Sequence, residues 1–329
     1  MKRILGIGNA LVDIMTQIDN DSVLNDFSLP KGSMQLVDNE KSIQVKSGTN
    51  RFRKRLASGG SAANTIHGLG MLGMKTGFIG SVGKDETGDF FEKDMKSAGV
   101  NTLLIRRDTV TGTAVALISP DSERTFATHL GAAVELKAED LKSEYFKGYD
   151  ILYLEGYLIF NRPLVEEACR FAKSSGMKVA IDLASYNVVE AKLQDFREII
   201  KDYVDLIFAN EEEAKAFTGK KPEEALLLLS DLCEIAVVKT GSDGSLIKRG
   251  EEIVRAGTKK VKLKDTTGAG DLYASGFLYG YANGYPLHVC GLIGSLLAGN
   301  VIEIIGAKMT ESKWGRIRKS IQSVIKKNP

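Results

Sequence analysis

The feature that most constrains this chain is a rhythm. From about residue 60 onward, short runs rich in Val, Ile and Phe alternate with segments of helical period. The runs KTGFIGSV (75–82), DILYLEG (150–156), MKVAIDL (177–183), DLIFAN (205–210) and IAVVKTG (235–241) read as buried strands. Between them lie amphipathic stretches such as RPLVEEACRFAKSSG, with Pro163 in the first turn and Gly176 past the last. That order is the signature of βα units and a mostly parallel sheet, and 329 residues suffice to bury a sizeable core.

Two regions depart from the rhythm. Segments of about 11–38 and 101–128 alternate with period two and carry turn residues in place of helices. They are expected to form small antiparallel strands that leave the main sheet and make a lid over its end, with Thr111–Thr113 at a hairpin turn. No repeat, low-complexity tract or long linker interrupts the chain, so residues 1–329 are expected to form one unit with hinges.

Composition excludes more than it selects. Forty-four basic side chains against forty-two acidic ones give a net charge of +2, so no global field calls for nucleic acid or an anionic membrane. Three scattered cysteines and three histidines argue against a disulfide scaffold or a His/Cys metal site and fit a reducing compartment. Gly6, Gly8, Asn9 and Asp13 interrupt any leader-like apolar run, so the expected location is cytoplasmic. The basic last helix, with Trp314, Ile317, Ile321 and Ile325 near one face, reads as a docked surface helix.

The run DTTGAGD (265–271) leads straight into DLYASGFLYGYANG, where Leu272, Phe277, Leu278 and Tyr281 share a helical face before Gly284 and Pro286. Gly268, Ala269 and Gly270 have almost no side chain. Their N–H groups are therefore expected to line an anion hole at a helix N-terminus. An acid in that first turn is no phosphate ligand, so Asp271 is a candidate base that takes a proton from a hydroxyl attacking a phosphoryl group. GIGNALVDI is not a dinucleotide fingerprint, because the third glycine of G-x-G-x-x-G falls on Leu11. It leaves Asn9 and Asp13 free to hold hydroxyls. In SGGSAANT, Gly59 and Gly60 permit close approach of a ligand, Asn64 offers a donor and an acceptor, and Ser61 suits an N-cap.

DTTGAGD with its small-residue-rich helix resembles the second signature of the ribokinase-like (PfkB) carbohydrate kinases, and SGGSAANTIHGLGMLG (58–73) resembles the first. The likeness covers essentially the whole chain. It implies a three-layer α/β/α fold with a mostly parallel central sheet and a small antiparallel lid. It also implies an ATP-dependent, Mg²⁺-requiring kinase for a primary hydroxyl of a nucleoside or sugar. By this resemblance Asp13 grips two sugar hydroxyls, Gly59, Gly60 and Asn64 contact the acceptor, and Glu155 reaches a sugar hydroxyl at a strand end.

On the nucleotide side, the family's N-x-x-E element falls on Asn210 and Glu213, with Glu213 holding Mg²⁺ through water. KTGSDGS (239–245) resembles the nucleotide loop, with Gly241 and Gly244 running beside ATP, and Thr266 is expected at the nucleotide too. The sequence departs from the pattern twice: Lys239 stands where Thr is usual, and Asp182 where ribokinases carry Asn. Lys239 either pairs with a phosphate or points away. Asp265, Thr267 and the IGAKM segment match a K⁺ site.

Arg124, on a later lid strand, either clamps the substrate or phosphate or is an exposed strand arginine. RFRKR (51–55) reads as a solvated cluster rather than a phosphate funnel. SPDSERT, HLGA and LEGY look more like adenosine kinases than fructokinases, with Tyr157 either stacking on a purine or forming a rim. Adenosine is the expected acceptor, with ribose, fructose or another furanose as the alternative. A binding protein that has lost the chemistry is the alternative from another class, disfavoured by the intact Asp271. Such kinases occur as monomers and as homodimers paired through the lid.

Overall fold

The computed structural model describes residues 2–121, 123–258 and 260–328. In chain order its strands are β1 (Ile4–Ile7), β2 (Leu11–Gln17), β3 (Met34–Leu36), β4 (Lys54–Gly59), β5 (Thr76–Gly83), β6 (Val100–Arg107) and β7 (Thr111–Ile118). They continue with β8 (Arg124–Gly131), β9 (Ile151–Glu155), β10 (Lys178–Asp182), β11 (Leu206–Asn210), β12 (Ile235–Lys239), β13 (Ser245–Arg249) and β14 (Glu252–Ala256).

Nine strands form the main sheet in the order β14-β13-β12-β11-β10-β9-β1-β5-β6. All neighbours from β12 to β6 are parallel, and β13 and β14 add an antiparallel hairpin. Strand side chains alternate between two cores. Ile151, Tyr153, Leu206 and Phe208 point to the layer holding the helices Ser61–Met71 and Ala269–Ala282. Leu152, Leu154, Ile207 and Ala209 point to the opposite layer with Arg162–Ser174 and Leu193–Tyr203. Both faces are covered, which is why these strands read as continuous apolar runs. The result is the ribokinase-like three-layer arrangement.

The lid is a five-stranded sheet, β3-β8-β7-β2-β4, and it differs from expectation in three ways. Residues 101–107 belong to β6 at the edge of the main sheet, paired in parallel with β5. The lid takes β4 instead, from the end of RFRKR onward. It is also mixed: β2 pairs parallel with β7 and β3 with β8, whereas β2–β4 and β7–β8 are antiparallel. Thr111–Thr113 starts β7 and is no hairpin turn. No helix of the described residues is long and apolar enough to cross a membrane.

Candidate active site

The chain enters the main sheet at an interior strand, third from the β6 edge. β1 lies between β5 and β9, so strand order runs outward in both directions, and a crevice opens at the carboxyl ends where it reverses. Asn9, Glu155, Asp182, Asn210 and Lys239 all sit at or just past those ends. Glu155 does not offer its carboxylate to a sugar, as the resemblance implied. One oxygen accepts from the Asn9 N–H (2.9 Å) and side-chain amide (2.5 Å), and the other accepts from the Ala62 N–H (2.9 Å). Buried at 1% exposure, it clamps the turn after β1 to the start of the Ser61–Met71 helix, and desolvation pushes its pKa up to about 7.

The Gly59-Gly60 pair serves the protein's own close approaches. A Cβ on Gly59 would lie 2.3 Å from the Asp13 carboxylate, and one on Gly60 would lie 2.0 Å from the Asn9 carbonyl oxygen. Gly60 also has φ 97° and is itself the N-cap, so Ser61 is not the cap. Ser61 turns its hydroxyl to Asp271 instead (2.8 Å), while the Asn64 amide donates to the other Asp271 oxygen (3.0 Å). These two residues lie three apart on one helix face, and Thr65 adds a hydroxyl bond to the Asp271 carbonyl (3.1 Å).

Burial raises the Asp271 pKa to about 6, against the lowering by Asn64 and Ser61. Asp13, on β2, rises to about 7, again by desolvation. Asn64 keeps its amide oxygen buried and without a partner. A buried acceptor beside two carboxylates is a place for hydroxyl donors.

The helix bearing Asp271 begins at Ala269 with Gly268 as a left-handed N-cap (φ 75°). One expected anion-hole amide is turned away, because the Ala269 N–H donates to the Thr266 carbonyl. The N–H groups of Gly268, Gly270 and Asp271 have no intramolecular acceptor among the described residues. Lys239 reaches this point: a Cβ on Gly270 would lie 3.2 Å from its ammonium. The two departures from the family pattern are one feature, since Lys239 donates to Asp182 at 2.8 Å. Burial opposes the charge of Lys239, yet Asp182 and Glu213 hold its pKa above the ordinary value. It faces the Gly270 end of the helix and does not point away.

Glu213 caps its own helix, accepting from the Asn210 N–H (2.8 Å) and side-chain amide (2.7 Å), and desolvation lifts its pKa to about 7. Two carboxylates, Asp182 and Glu213, face one ammonium. Their oxygens are already partly engaged, a donor set suited to Mg²⁺ held through water rather than ligated directly. Gly241 and Gly244 frame the turn between β12 and β13, and Gly244 (φ 96°) lies hard against the Ala256 carbonyl. Thr266 is exposed on the loop before the anion hole. Tyr157 follows β9, 37% exposed, and desolvation pushes its pKa up to about 12.

Arg124 neither reaches the crevice as a free clamp nor stands exposed. It pairs with Asp265 at 2.5 Å and donates to the Thr267 hydroxyl, tying lid strand β8 to the loop before Gly268. The Thr267 and Gly306 N–H groups also donate to Asp265, each at 2.6 Å. Donors therefore crowd the group expected to hold K⁺, and Asp265 with Thr267 does not fit a cation beyond Arg124. Lys308, within IGAKM, was not foreseen as a site residue. Its ammonium is buried without a hydrogen-bond partner, and no spacing in the sequence marks it.

A buried carboxylate at a helix N-terminus, beside unpartnered amides and a buried lysine, is the arrangement expected of enzymes that transfer a phosphoryl group to a hydroxyl. Comparison with known proteins places the chain among them. The model of the pfkB family carbohydrate kinases matches residues 31–313, and the chain belongs to that family. An uncharacterized sugar kinase of Archaeoglobus fulgidus is 30% identical over 73% of this chain and 96% of its own length. The 5-dehydro-2-deoxygluconokinase of Shouchella clausii is 30% identical over 74% of this chain and 80% of its own. Among solved structures, the adenosine kinase from Sinorhizobium meliloti is 35% identical with a TM-score of 0.87, covering 97% of this chain and 99% of that one.

Proposed function

We propose that this kinase phosphorylates the primary hydroxyl of a furanose-bearing acceptor, adenosine foremost, using ATP and Mg²⁺. The observation that carries the reading is Asp271, fixed through both oxygens by Ser61 and Asn64 beside the unfilled amides. With a carboxyl titrating near 6, Asp271 is ionised at neutral pH and accepts the hydroxyl proton as that oxygen attacks the terminal phosphoryl group of ATP. The amides of Gly268 and Gly270, with the Lys239 ammonium, stabilise charge on the transferring group. Mg²⁺, held through water by Glu213 and Asp182, would neutralise phosphate charge and orient the nucleotide. Asp13 and the Asn64 amide oxygen hold acceptor hydroxyls, and the lid shields the site from water.

Two observations favour adenosine over a free sugar. Glu155, the acid suited to an anomeric hydroxyl, is buried and spends three hydrogen bonds inside the protein. The similarity to the S. meliloti adenosine kinase also runs through nearly the whole chain. A second reading, a sugar or sugar-acid acceptor, is supported by the 5-dehydro-2-deoxygluconokinase relatives. ATP consumption with Mg²⁺ and adenosine, ribose, fructose or 5-dehydro-2-deoxygluconate decides between them. Turnover confined to adenosine supports the first reading, and turnover confined to the free sugars or the sugar acid overturns it.

A further inference from the structure

Two polar atoms facing this crevice are buried and unpartnered: the Asn64 amide oxygen and the Lys308 ammonium. The segment carrying Lys308 is wedged between the two halves of the site. Gly306 lies against Met15, two residues along β2 from Asp13, and Ala307 lies against Gly268 at the N-cap of the Asp271 helix. The Gly306 N–H fixes the segment to Asp265 at 2.6 Å. Lys308 is thus held between the acceptor-gripping aspartate and the base. Its charge acts on Asp94 most, then on Asp13 and Asp271, and also on His67, yet it forms no ion pair within 4 Å among the described residues. Burial depresses its pKa to about 8, the cost of an ammonium left without a close partner.

The chemistry of a vicinal diol fits this vacancy in hydrogen bonding. Each hydroxyl has one hydrogen to donate and two lone pairs to be met. Ionised Asp13 and the Asn64 oxygen are acceptors only, so they take the hydrogens and leave the lone pairs unanswered. Lys308 supplies donors and nothing else. We propose that Lys308 is an acceptor-binding residue, donating to the oxygen of a furanose hydroxyl whose hydrogen is held by Asp13. The acceptor class is then one with an intact cis-diol, and the lysine reads that diol. This inference rests on the furanose-kinase reading above.

The test compares the native enzyme with Lys308→Met on adenosine, 2′-deoxyadenosine and 3′-deoxyadenosine, measuring kcat and KM for acceptor and for ATP. The native enzyme should lose about 10- to 100-fold in kcat/KM on at least one deoxy analogue, because an unmet buried donor remains. Lys308→Met should lose a similar factor on adenosine, mainly through acceptor KM, and should no longer distinguish that deoxy analogue from adenosine. ATP KM should stay within about threefold. Thermal melting of the free variant should be no lower than native, since an unpaired buried charge has gone. Equal discrimination by native and variant enzymes, or a loss shared equally by ATP, overturns the role of Lys308 while leaving the kinase reading intact. Native enzyme inactive on every ribofuranoside overturns the furanose reading and the lysine's role with it.

Discussion

Replacing Ser61 with Ala removes one hydrogen bond to the Asp271 carboxylate and leaves the Asn64 bond in place. The aspartate now titrates near 6, the balance between desolvation, which raises its pKa, and the two side-chain donors, which lower it. A hydrogen bond to a charged group contributes about 1.5–3 kcal/mol, and each pH unit corresponds to about 1.4 kcal/mol. Loss of the Ser61 hydroxyl should therefore lift the Asp271 pKa by about 1 to 2 pH units, to roughly 7–8. The base acts ionised, so the rate rises as pH climbs through this value, and the acid limb of the profile must move to higher pH by the same amount. Activity above about pH 9 should largely return. Asp13, titrating near 7, gives a second step in kcat/KM that the substitution leaves nearly in place. The assay is ATP consumption with the working acceptor from pH 5 to 9.5, native beside Ser61→Ala. An acid limb at the same pH in both enzymes would refute Asp271 as the titrating base.

Other outcomes follow from the same geometry. Gly60→Ala sets a Cβ 2.0 Å from the Asn9 carbonyl oxygen at φ 97°, and should cost about 3 kcal/mol or more, read as a lowered urea midpoint. An unchanged midpoint would contradict the close approach that the glycine pair permits. Because Arg124 and two N–H groups satisfy Asp265, replacing K⁺ by Na⁺ or a bulky organic cation should change kcat by less than about twofold. Stimulation by K⁺ of more than tenfold would show that the ion has a place which Arg124 does not fill.

Much of this site is legible in the sequence because it is local. DTTGAGD places an acid and small residues at a helix start whatever the rest of the chain does, and Ser61 and Asn64 lie on one helical face. The five central strands are equally plain, being buried on both sides. β6 is harder to place, because an edge strand is half exposed and alternates as a lid strand does. β4 is masked by its lysine and arginine, which suggest a solvated cluster until the lid pairing buries Ala57 and Ser58.

Contacts between distant segments are the remainder. Lys239 and Asp182 are each ambiguous alone, and only the meeting of their strand ends across β11, 57 residues apart in sequence, makes them a pair. Glu155 reads as a ligand group until the turn at Asn9, 146 residues away, is seen to consume it. Arg124 meets Asp265 across the lid boundary, and Lys308 has no local pattern at all.

We propose Asp271 as the base of a hydroxyl-directed phosphoryl transfer. The most direct measurement is single-turnover and steady-state transfer from ATP by the native enzyme and Asp271→Asn, with ATP binding followed separately by calorimetry. The asparagine preserves size and hydrogen bonding to Ser61 and removes the proton acceptor. Transfer should fall by about 10³-fold or more, with ATP affinity within about threefold of native. An Asp271→Asn enzyme within tenfold of native turnover would contradict the assignment.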